Sequence, residues 1–113
     1  MSDLDSAQES FKEKVGDFLL SVQTMKTIDS QAFQEVDAQA RLLARILKDR
    51  ELISKSLLNA LHTAARILCA EAPYVKDQSA MLVKMAEQLE LTFDLILRGE
   101  CHSDRVPGVP RVI

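Results

Sequence analysis

The chain has 113 residues, a hydrophobic fraction of 47% and a charged fraction of 27%, enough for one folded domain and unlike a disordered chain. Its net charge of −3 offers no global attraction to nucleic acid or anionic lipid. With four phenylalanines and one tyrosine, the core must come from Leu, Ile, Val and Ala, a composition that favours helix over strand.

The opening Met1-Ser-Asp-Leu-Asp-Ser is acidic, unlike the basic-then-apolar start of a secretory signal. No apolar run reaches the roughly 18–20 residues that span a bilayer. The expectation is a cytoplasmic protein without membrane contact. Two cysteines do not make a disulfide framework. Cys69 and Cys101 should lie at opposite ends of antiparallel helices and stay reduced, unless the tail doubles back.

The spacing predicts a first helix from about residue 6 to 24, opened by the capping box Ser6-Ala-Gln-Glu9. Its core stripe is Phe11, Val15, Phe18, Val22 and Met25, in steps of three and four. A second helix opens at Asp29, a good N-cap, with Ile28 and Phe33 placed as a hydrophobic staple. Its stripe is Phe33, Val36, Ala40, Leu43 and Leu47. The apolar phase slips between Leu47 and Ile53, which reads as a short turn with Asp49 as a possible new cap. One continuous helix over about residues 30–71 is the alternative.

The third helix covers about residues 52–71 and ends ahead of Pro73. Its apolar positions, from Ile53 to Cys69, fill about 200° of arc against about 100° for a surface helix, so it should be the most buried. The fourth runs from about residue 77 to 98, with Leu82, Met85, Ala86, Leu89, Phe93 and Ile96 as its stripe and Gly99 just past its C-cap. Residues 99–113 carry two glycines and two prolines and read as an extended tail beyond a helical domain of residues 1–98, its Val112-Ile113 end able to dock in a groove. These segments predict an all-α, antiparallel up-down bundle of four helices. Fusion of the middle helices would give three helices with a long arm, completed by dimerisation.

No catalytic, cofactor or metal motif accompanies these helices. His62 and His102 lack a neighbouring nucleophile and carboxylate, and no glycine-rich phosphate loop exists. Cys101-His102 lacks the paired spacing of a zinc site, and Glu87, Glu90 and Asp94 face away from the core stripe. The reading is a protein that is not an enzyme.

Two apolar pairs fall outside the stripes: Leu42 with Ile46, and Leu91 with Leu95. Leu20 and Val83 are also off-stripe. Such pairs suit a contact surface, so the expected function is a protein-interaction or regulatory module that binds itself or another protein. The alternative is nucleic-acid contact through Arg41, Arg45 and Lys48, which share one helix face. Against it, Asp37 and Asp49 each stand four residues from an arginine and can neutralise the stripe.

Overall fold

The computed structural model describes residues 3–104, apart from the Lys76 side chain. The Val112-Ile113 end lies outside the described residues. Four α-helices form: α1 (Asp3–Met25), α2 (Ser30–Ile46), α3 (Lys55–Glu71) and α4 (Ser79–Leu97). The four-helix bundle holds, and the fused middle helix does not, because residues 47–54 are non-helical.

Helix α1 packs most extensively on α2, and α3 on α4, giving two antiparallel hairpins. The hairpins meet through α1 on α3 and α2 on α4. The molecule measures 39 × 39 × 21 Å, so its short dimension is two helix diameters of about 10 Å each. Consecutive α2 and α3 are therefore not the closest neighbours; the segment between them crosses from one hairpin to the other.

The apolar repeats account for this packing. Phe11, Val15, Phe18 and Val22 of α1 are buried, as are Phe33, Val36, Ala40, Leu43 and Leu47. Phe18 and Phe33 meet with ring centroids 5.5 Å apart. Met25 departs from the expected stripe and is 69% exposed, because Lys26 after it turns into the left-handed region (φ 52°) and ends the helix. Asp29 caps α2 as expected, accepting a hydrogen bond from the Ala32 amide at 3.1 Å, with Ile28 buried beside it. Ser6 is no cap: it lies inside α1, which already includes Asp3. Nor does Asp49 cap α3; Ser54 does, accepting from the Leu57 amide at 3.3 Å.

Helix α3 is less buried than its broad apolar arc predicts. Leu57, Leu61, Ala64, Ala65 and Leu68 are inside, whereas Leu58, Ala60 and Ile67 are half-buried and Cys69 is exposed. Helix α4 buries more residues than any other: Leu82, Met85, Ala86, Leu89, Thr92, Leu95 and Ile96. Its end is a full Schellman motif, in which the Glu100 amide donates to the Leu95 carbonyl (2.8 Å) and the Gly99 amide to that of Ile96 (3.1 Å). Gly99 has φ +72°, and a Cβ there would sit 3.4 Å from the backbone of Asp49, itself left-handed (φ 63°). The Asp49 amide donates to the Gly99 carbonyl at 3.0 Å, so the crossing segment is pinned to the end of α4.

Candidate interaction surface

The two apolar pairs have different fates. Leu42 and Ile46 are half-buried and line a groove of about 470 Å³ between the N-terminal half of α1 and the C-terminal half of α2. Ala7, Ser6 and Ser10 of α1 form the opposite wall. Leu42 and Ile46 are the larger apolar groups of this lining. Toward the other end of the hairpin, Lys14 reaches Glu35 at 3.6 Å and straps the two helices together. Leu20 and Val83 are exposed on α1 and α4 but do not line this groove.

The other pair is not a free surface. Leu95 is 1% exposed, contrary to its expected place on the polar side, and Leu91 is half-buried. Beyond α4 the chain doubles back rather than extending away. After Gly99 a 3₁₀ turn, His102–Asp104, brings His102 Nε2 to 3.0 Å from Thr92 Oγ1. Thr92 lies one turn before Leu95 on the same flank of α4.

Lys48 and Asp104 complete this junction. Lys48 Nζ donates to Asp104 Oδ1 at 2.7 Å, and the Cys101 amide donates to Oδ2 at 2.9 Å. The hydrogen bond from Lys48, with that from the Cys101 amide, lowers the Asp104 pKa to about 2. The same hydrogen bond raises the pKa of Lys48. Cys101 is buried with its Sγ 3.1 Å from Ser103 Oγ, and neither it nor Cys69 is in a disulfide. Sequence reasoning missed Thr92, His102 and Asp104 as a set, because nothing in helical periodicity reports a chain that reverses.

The cationic stripe is largely occupied. Arg41 Nε pairs with Asp37 Oδ2 at 2.9 Å, Lys48 is committed to Asp104, and Arg45 makes no ion pair among the described residues. His62 is exposed, its ring 5.8 Å from that of Phe93, and it makes no hydrogen bond among the described residues. Glu90 and Asp94 share its shallow cleft, yet among the described residues no three His, Cys, Asp or Glu side chains are placed to hold a metal ion. Also among the described residues, no helix is long and apolar enough to cross a membrane.

Comparison with protein-family models, curated proteins and solved structures returns no match.

Proposed function

We propose that this protein is a non-catalytic helical interaction module that self-associates through the groove between α1 and α2. The observation that carries this reading is the pair Leu42 and Ile46, left half-covered above a wall of Ala7, Ser6 and Ser10. Small residues let a second helix approach, and the two larger side chains supply the apolar centre that stable interfaces use. A second copy suits the charges at the rim. Asp3 lines one side, and the exposed Arg45, one helical turn from Leu42 on α2, makes no ion pair among the described residues. A twofold contact repeats the same patch on both copies, so each Arg45 can face the other copy's Asp3.

Light scattering at micromolar concentration tests the reading. A dimer is expected, and Leu42→Glu with Ile46→Glu should convert it to a monomer while the helical circular-dichroism signal stays. A wild-type monomer would overturn self-association. Nucleic-acid contact has weaker support, since Arg41 and Lys48 already face carboxylates. Heparin at low salt should not retain the protein; retention lost on Arg41→Glu with Arg45→Glu would favour that alternative instead.

A further inference from the structure

We infer that residues 105–113 dock in the groove between α1 and α2 of their own chain and compete there with the second copy. Such regulation rests on that groove being the contact surface.

The attachment point decides which surface is in reach. Asp104 is held by Lys48, two residues past Ile46, and the His102–Asp104 turn packs on α2. Residue 105 therefore starts at the C-terminal end of α2, the end that carries Leu42, Ile46 and, from the antiparallel α1, Asp3 and Ala7. From Leu42 to Ile46 is about 6 Å of helix, and one helix is about 10 Å across. An extended segment the length of residues 105–113 reaches up to about 30 Å, enough to pass around α2 and lie along both side chains.

The chemistry is complementary. Val106, Val109, Val112 and Ile113 suit the apolar centre of the groove. Arg105 and Arg111 come with no acid beside them, so the negative excess of the chain lies wholly in residues 1–104. Asp3 in the lining, with Asp5 in the same first turn of α1, puts part of that excess at the groove. Pro107 and Pro110 restrict the backbone beforehand, which lowers the ordering cost of docking. A short tether also holds the segment at an effective concentration on the order of millimolar. A second copy displaces it only through a larger buried area. Self-association is then weakened by the fraction of grooves already filled.

Trypsin reads the docking without needing a dimer, because it cuts after Arg105 and Arg111. The full-length protein is digested briefly under native conditions, at a dilution where light scattering gives a monomer mass, and the products are weighed by mass spectrometry. Leu42→Ser with Ile46→Ser removes the large apolar groups of the groove without adding charge. It should speed both cuts at least about threefold while the helical circular-dichroism signal stays. Equal rates in the two proteins would overturn docking. So would wild-type protection that fades on further dilution, since a neighbour's segment would then be the one bound.

Val109→Glu changes only the docking segment and decides the matter even where the serine variant fails to fold. It should speed the cut after Arg105 and lower the dissociation constant of the dimer, each at least about threefold. An unchanged cut would overturn docking, and an unchanged dissociation constant would overturn competition. If wild type and variant both stay monomeric at every concentration, self-association fails, and the cleavage rates alone decide docking.

Discussion

Single residues already decide several outcomes. Asp104 has a folded pKa of about 2 against an ordinary 3.8, so its contribution is fully present above the ordinary value and is lost as pH falls toward 2. Urea midpoints measured between pH 5 and pH 2, a range of about three units spanning both pKa values, should fall less for Asp104→Asn than for the wild type. At neutral pH the variant should already be the less stable of the two. Gly99 is a second case. Its left-handed φ and the 3.4 Å approach to Asp49 mean that Gly99→Ala should cost about 1–2 kcal/mol, read as a lower urea midpoint with unchanged slope. Leu95→Ala should cost about 2–4 kcal/mol, whereas Leu42→Ala, starting half-exposed, should cost about 1 kcal/mol. That contrast checks which of the two apolar pairs belongs to the interior.

At the scale of the element, helical periodicity was legible wherever packing came from other helices. Every position of the α2 stripe is buried, and four of the five on α1. The misreadings share a cause. On α4 the strict three-four series is Leu82, Met85, Leu89, Thr92 and Ile96, but hydrophobicity favours Phe93 over Thr92. Thr92 is inside because its hydroxyl is satisfied, by the Gln88 carbonyl (3.3 Å) and by His102. Phe93 is half-buried at the edge of α3, against His62. On α3, apolarity overestimated burial: Leu58, Ala60 and Ile67 stay half-buried and Cys69 exposed at the flanks of the buried stripe. Of the candidate site, the Leu42–Ile46 pair could be read from sequence; the burial of Leu95 could not, because helical periodicity places it on the polar side of α4. The caps are an easier matter. Asp29→Ala and Ser54→Ala should each lower stability by about 1 kcal/mol, since each removes the acceptor of a helix-opening amide.

Across the whole molecule, one cluster of buried side chains draws on all four helices. Neither hairpin closes a core of its own, so thermal unfolding should be a single transition whose calorimetric and van't Hoff enthalpies agree. Two resolved transitions would mean that the hairpins are separate units joined by a weak face. Covering the α1–α2 groove by a second copy should also make the midpoint rise with protein concentration, as mass action requires of any folded-state association.

The contact between Asp49 and Gly99 has a consequence for how copies of this chain can combine. Along the chain the α3–α4 hairpin departs and returns at that single point, while its faces pack on α1 and α2. Two molecules that straighten residues 47–54 could trade these hairpins and rebuild every native interface between them. A dimer made in this way would survive glutamates at positions 42 and 46, and its slow, concentration-dependent return to monomer would betray the exchange.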